Sequence, residues 1–178
     1  DPIKLLDCSA PCDGASATLL ISEKKAKKSE NPVWIRGIGQ QTNGASFASA
    51  GNLTSIDAAR KAAKDAYRMS KTKPSHVDIA ELHDAFTILE IIAYEDVGLA
   101  PKGKGGLFIG REDIATNTRG GILGCGHPVG ATGIAQVTEV VLQLKGCAGK
   151  RQVKGCKTGL VHNLAAAGSS ATVMILGI

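Results

Sequence analysis

The sequence predicts a layered α/β domain. Short apolar strand patterns alternate along the chain with amphipathic helix patterns. The C-terminal end breaks that alternation, because apolar runs at 159–162 and 171–176 flank a turn of small residues, which predicts an antiparallel pair. Alanine and glycine are abundant while aromatic residues make up only 3%, so helices can pack close to a sheet. At 178 residues the chain is one ordinary domain, or one domain with a tail of another, and 43% apolar content suffices for a core.

The elements follow in order. A turn at Asp13-Gly14 precedes a strand pattern that is small at first and apolar by Ile21; its neighbours must lie elsewhere. The chain opens at Asp1 without Met, in what reads as mid-domain sequence, so a fragment or processed piece is expected. A basic run, Lys24-Lys25-Ala26-Lys27-Lys28, leads to a second strand over 33–39. Residues 40–54 read as loop. Thr54 is the expected N-cap of a helix over 55–70, with Asp57 in its first turn. Ala59, Ala62, Ala63, Ala66 and Met69 form its apolar stripe.

Pro74 closes that segment. A strand over 77–82 runs into His83-Asp84-Ala85-Phe86, then a helix over 87–96 stopped by Gly98. Residues 101–119 read as loop. Next comes a stretch, residues 120–133, with six glycines around His127 and Pro128. A helix over about 131–145 follows, with Ile134, Val137, Val140, Val141 and Leu144 on one side. A basic turn region at 146–157, a strand at 159–162, a turn from Asn163 to Ser170 and a last strand at 171–176 complete the chain.

Composition excludes several classes. The low aromatic content argues against base-stacking nucleic-acid modules. The formal charge of +5 owes part of its excess to the lysine run, a solvated face or an attractor of anionic ligands. The five cysteines (Cys8, Cys12, Cys125, Cys147 and Cys156) are odd in number and fit no zinc spacing, so reduced thiols in a cytoplasmic protein are expected. No apolar run approaches membrane-spanning length, and no signal peptide is expected.

Three segments sit where α/β folds hold ligands, at strand ends or sharp turns: His83 and its followers, His127 in its glycine loop, and the turn from Asn163. A lone histidine is commonly structural. Glycines on both sides of His127 leave room for a substrate or a second loop, so two histidines from separate loops can converge as acid, base or oxyanion donors. Cys125 lies two residues before His127 but reads as a small turn residue rather than a nucleophile, since neighbours two apart on a tight loop point apart. Gly103-Lys104-Gly105-Gly106 lacks the spacing of a phosphate loop, and the four histidines form no metal cluster.

With these residues in hand the chain resembles the thiolase superfamily, in its C-terminal half. Cys12-Asp13-Gly14-Ala15-Ser16-Ala17 is similar to the segment that ends the family's N-terminal domain. His83-Asp84-Ala85-Phe86 resembles the family's Asn-Glu-Ala-Phe motif in its sterol-carrier-protein-type and archaeal variant. Residues 126–133 resemble the Gly-His-Pro-x-Gly-x-(Ser/Thr)-Gly motif, and the turn at 163–168 stands where the family has Cys-x-Gly.

The resemblance implies a thiolase-type layered α/β domain, a mixed five-stranded sheet with helices on both faces. Residues 1–30 would end the N-terminal thiolase domain and its linker; residues 31–178 would be the C-terminal domain. It implies Claisen condensation or thiolytic cleavage of acyl-CoA thioesters of the acetoacetyl-CoA type, with coenzyme A thioester as substrate and no cofactor or metal. His127 would tune the nucleophilic Cys and bind the thioester oxygen, and His83 would serve an oxyanion hole. Ala85 and Phe86 would line the pantetheine tunnel, and Ser9 would contact pantetheine. The nucleophilic Cys belongs to the absent N-terminal half, so this chain alone is expected to be inactive. Asn163 stands at the second catalytic Cys and cannot act as a base, while Ala165 keeps the N–H of the oxyanion glycine it replaces. His162 faces away from Asn163's side of the strand.

Two further readings stay open: a thiolase-fold lyase cleaving a β-hydroxyacyl-CoA, or a non-catalytic lipid or acyl-CoA carrier of lipid-transfer-protein type. The nucleophile position of the missing half discriminates them. Expected partners are the acyl-CoA substrate, the chain's own N-terminal thiolase half, a second copy in a homodimer or higher assembly, and a small OB-fold acyl-CoA-binding protein. Nucleic acid and membrane spans are not expected.

Overall fold

The computed structural model describes residues 2–44, 51–110, 114–165 and 168–178. Residues 45–50 and 111–113 of the two expected loops, and residues 166 and 167 of the expected turn, lie outside them.

The described strands form one sheet: β1 (Trp34–Thr42), β2 (Ile79–Glu81), β3 (Ala115–Thr116), β4 (Thr158–Ala165) and β5 (Ser170–Gly177). The spatial order is β1-β5-β4-β2-β3. β5 runs antiparallel to both β1 and β4, whereas β2 is parallel to β4 and β3. The sheet is therefore mixed. The helices are α1 (Glu23–Ala26), α2 (Asp57–Ser70), α3 (Thr87–Asp96), α4 (Gly121–Cys125) and α5 (Thr132–Leu144).

Strand alternation divides the core in two. Ala80, Leu160, Val173 and Ile175 point to one face and meet the alanines of α2 and Ala93, Tyr94 and Val97 of α3 or its C-terminal end. Ile79, Val161 and Leu176 point to the other and meet Val140 and Leu144 of α5. Helices thus cover both faces, as expected.

Small residues set the closest contact. Ala58, Ala59, Ala62, Ala63 and Ala66 of α2 are all buried. Opposite them on β1, a Cβ added to Gly37 or Gly39 would lie 2.2 Å from the Ala66 carbonyl oxygen or 2.0 Å from that of Ala62. Helix backbone rests directly on strand backbone.

Several local expectations are corrected. Residues 13–21 form no strand; Leu19 and Leu20 are exposed, and no ladder partner exists among the described residues. Thr54 does not cap α2. Asp96 at the end of α3 does so from outside, its carboxylate accepting from the Ser55 hydroxyl and the Ile56 N–H, while Thr54 bonds Asn52. Met69 and Ile134 are exposed rather than on apolar stripes. The expected loop at 101–119 contains β3, and the expected turn starts later, because Asn163, Leu164 and Ala165 pair with Thr172, Ala171 and Ser170.

The inner side of α5 carries more polar groups than the apolar pattern suggests: Gln136, Glu139 and Gln143 are buried. Glu139 is ion-paired with Arg151 at 2.8 Å and accepts from Thr118 at 2.9 Å and Gln143 at 3.0 Å. Nearby, burial first and the Glu139 charge second push the Glu81 carboxyl up to about 8.

Candidate active site

The site forms where β2 ends. His83 lies two residues beyond Glu81, and Asp84 follows it. The Asp84 carboxylate accepts the N–H groups of Ile122 at 2.7 Å and Leu123 at 3.3 Å, in the first turn of α4. This contact requires glycine at 121: its φ is +64°, and a Cβ would lie 2.0 Å from Asp84 Oδ2. The His83 loop is thereby fastened to the glycine stretch that carries His127.

The N-terminal segment fastens the two loops a second time. The Ser9 N–H donates to the Ala85 carbonyl at 2.9 Å, and the His127 N–H donates to the Ala10 carbonyl at 2.8 Å. Isolated bridges pair Cys8 with Phe86 and Pro11 with His127. At Gly126, with φ of +85°, a Cβ would meet Cys12 Sγ at 2.6 Å. The glycines around His127 make room for backbone, partly the chain's own.

The two imidazoles meet edge to face, with ring centroids 5.3 Å apart and planes at 79°. His127 Nδ1 is 2.8 Å from the Thr132 hydroxyl at the start of α5. His83 is buried, and burial first and His127 second lower its pKa to about 4. It is a neutral ring at physiological pH. Its Nδ1 lies 3.2 Å from Asn163 Nδ2, which also donates to Gln136 Oε1 at 2.9 Å. Gln136 Nε2 in turn donates to the His162 carbonyl at 3.2 Å.

All seven residues singled out in the sequence (Ser9, His83, Ala85, Phe86, His127, Asn163 and Ala165) line one cleft of about 1670 Å³. Val129, Ile134, Val137 and Met174 give it an apolar wall. No cysteine is among its described lining residues. Cys125 is exposed and its thiol points to the Arg119 carbonyl, 3.0 Å away. The His162 ring is fully buried on the opposite side of β4 from Asn163 and does not line the cleft. Among the described residues no group of acids, histidines and cysteines is placed to hold a metal ion, and no helix is long and apolar enough to cross a membrane.

Thr132 and Gln136 were not singled out in the sequence. Their signal is a polar stripe at helical spacing, Thr132, Gln136, Glu139 and Gln143, which apolar periodicity passes over. Such a stripe on a buried face must find internal partners.

Residues 39–178 match the thiolase C-terminal domain-like family. The chain is 42% identical to an acetyl-CoA acetyltransferase of Methanothermobacter thermautotrophicus, over 98% of this chain and 48% of that protein. It is 39% identical to sterol carrier protein 2 of Oryctolagus cuniculus, over 98% of this chain and 34% of that one. It is 40% identical to non-specific lipid-transfer protein-like 2 of Caenorhabditis elegans, over 95% and 44%. Among solved structures, the Ltp2-ChsH2(DUF35) aldolase superposes with a TM-score of 0.84 at 25% identity, covering 99% of this chain and 48% of that one. The chain spans about half or less of the length of these relatives.

Proposed function

This chain belongs to the thiolase C-terminal domain-like family, and on that premise we propose that it is the C-terminal half of a thiolase-like acyltransferase acting on acyl-CoA thioesters. The observation that carries the reading is the pair of imidazoles 5.3 Å apart, His83 and His127, lining one cleft with an apolar wall. A thioester carbonyl develops negative charge on oxygen during acyl transfer, and fixed N–H donors in a water-poor site stabilise that charge. His83, held neutral by burial, supplies such a donor without carrying a charge of its own.

The nucleophile in this reading is a cysteine thiolate from the N-terminal half, favoured by the nearby His127 ring. In the cleavage direction the thiolate attacks the β-keto carbon of acetoacetyl-CoA. The bond between the α and β carbons breaks, its electron pair passes to the acetyl-CoA enolate, and a proton is added at the α carbon. Coenzyme A thiolate then takes the acyl group from the cysteine. Ser9, Ala85 and Phe86 border the pantetheine arm, and Ala165 lies at the second oxyanion position. Asn163 leaves no basic group at its position. Residues 1–30 belong to the end of the N-terminal half, and the protein works in the cytoplasm.

The test is His127→Ala in the whole protein, assayed with acetoacetyl-CoA and CoA. We expect loss of at least about 100-fold in kcat, the scale of one oxyanion donor; unchanged turnover overturns the role. The aldolase likeness favours one second reading, cleavage of a β-hydroxyacyl-CoA by retro-aldol chemistry, with a small OB-fold acyl-CoA-binding protein as partner. Turnover of that substrate class, with none of acetoacetyl-CoA, decides for it. Binding of acyl-CoA with turnover of neither marks a carrier.

A further inference from the structure

We propose that Gln136 and Asn163 are positioning residues that fix the proton of His83 on Nε2, so that the ring offers an N–H donor to the bound thioester oxygen. The assignment of that oxygen rests on the acyl-transfer reading; the position of the proton does not.

The argument starts at a group that has no choice. The His162 main-chain carbonyl can only accept, so the Gln136 atom 3.2 Å from it is the amide nitrogen. Gln136 then presents its oxygen to Asn163, and the Asn163 atom 2.9 Å from that oxygen must be a donor, Nδ2. The same Nδ2 lies 3.2 Å from His83 Nδ1. One of its two hydrogens goes to Gln136, and the other goes to His83. His83 Nδ1 must therefore be a lone pair, and a neutral imidazole with an acceptor at Nδ1 carries its hydrogen at Nε2. Both amide orientations and the tautomer follow from one backbone carbonyl.

The packing holds the relay in place. Gln136 is 3% exposed. A Cβ added at Gly133, one turn before Gln136 on α5, would touch the Asn163 amide at 3.4 Å, so the helix surface there is shaped to the asparagine. The burial of His83 keeps the ring from taking a second proton and releasing the relay. His83 Nε2 has no protein partner among the described residues and is not an enclosed atom, which leaves it to the cleft. In the other tautomer a nitrogen lone pair would face the developing oxyanion and repel it. An acid or thiolate at position 163 could not supply this fixed donor; an asparagine can.

The experiment reads the proton directly. The whole protein is labelled with [15N]histidine and its imidazole nitrogens are recorded by long-range 1H–15N spectra, with His83 identified by loss of its signals in His83→Gln. We expect a pyridine-type Nδ1 and a pyrrole-type Nε2 in the wild type. Asn163→Asp offers only an acceptor to Nδ1, and we expect a protonated Nδ1, with kcat reduced about 100-fold and KM nearly unchanged. Gln136→Met, which keeps the volume and loses the anchor, is expected to give a mixed pattern. A wild-type His83 protonated at Nδ1, or an Asn163→Asp spectrum identical to wild type, overturns the proposal. The expected nitrogen pattern in a protein without acyl-transfer activity upholds the relay and overturns the acyl-transfer reading instead.

Discussion

His162 shows how one side chain can be held at a cost. The ring is fully buried, and neither nitrogen has a hydrogen-bond partner among the described residues. Burial first and the charge of His83 second lower its pKa to about 3. Between that value and the unperturbed 6.5 the unfolded chain binds a proton that the folded chain does not, so stability rises with pH through this window and falls on acidification. His162→Leu removes both the unpaired polar atoms and the proton linkage. We expect urea unfolding to find the variant as stable as wild type or more stable at pH 8, by about 1–3 kcal/mol, and to find a larger gain at pH 5. A variant less stable at both pH values would show that the ring has a partner. The neighbouring residue, Asn163, faces the cleft, and its amide nitrogen reaches both Gln136 and His83. Adjacent positions on β4 thus differ in kind because successive side chains point to opposite faces.

At the scale of elements, the tightest joint is that of α2 on β1. It exists because alanines face glycines, and it leaves no space for a methyl group at Gly39, where a Cβ would fall 2.0 Å from the Ala62 carbonyl oxygen. Gly39→Ala must push the helix away from the sheet, and we expect about 1–3 kcal/mol of destabilisation in urea unfolding. Gly106→Ala is the control, with nothing within 4 Å of the added carbon, and should stay within about 0.5 kcal/mol. An equal effect of the two substitutions would contradict the close joint. The helices were legible, α2 and α5 from patterns that repeat for more than two turns and α3 from an apolar run stopped by Gly98. The strands were less so. β3 has two residues, too few for an alternation, and β4 continues through Asn163 because β5 pairs with it, not because of its own residues.

Across the whole molecule the outstanding feature is apolar surface around the cleft and along the N-terminal segment. Val129 is 75% exposed, and Phe86, Ile88, Ile134, Leu5, Leu6, Leu19 and Leu20 are exposed as well. So many exposed large apolar side chains fit a contact with another chain or domain. We propose that the N-terminal thiolase half covers it in the whole protein, and that a second copy does so when this chain stands alone. Light scattering of the 178-residue chain is then expected to give at least twice the 18.3 kDa of one copy. A monomer at working concentration would refute self-association. The apolar residues of 13–21, which resemble a strand in isolation, belong to this surface and have no ladder to join among the described residues.

The helix periods, the alternation of α and β, the antiparallel C-terminal pair and the residues His83 and His127 were all readable from the chain, because each is encoded over a few consecutive positions. The glycine stretch announced a crowded histidine in the same local way. The convergence of the two histidines was expected from the chain, but their edge-to-face geometry, the carboxylate of Asp84 clasping α4, and the Gln136–Asn163 relay were not readable. Their partners are separated by 27 to 80 positions, and a hydrogen bond over such a span leaves no period in the sequence. Asp96 capping a helix that begins before it is another case of the same kind. Local pattern specifies which elements form, whereas packing of the sheet against its two helical layers specifies which polar groups meet, since each buried donor must find an acceptor wherever the fold brings one.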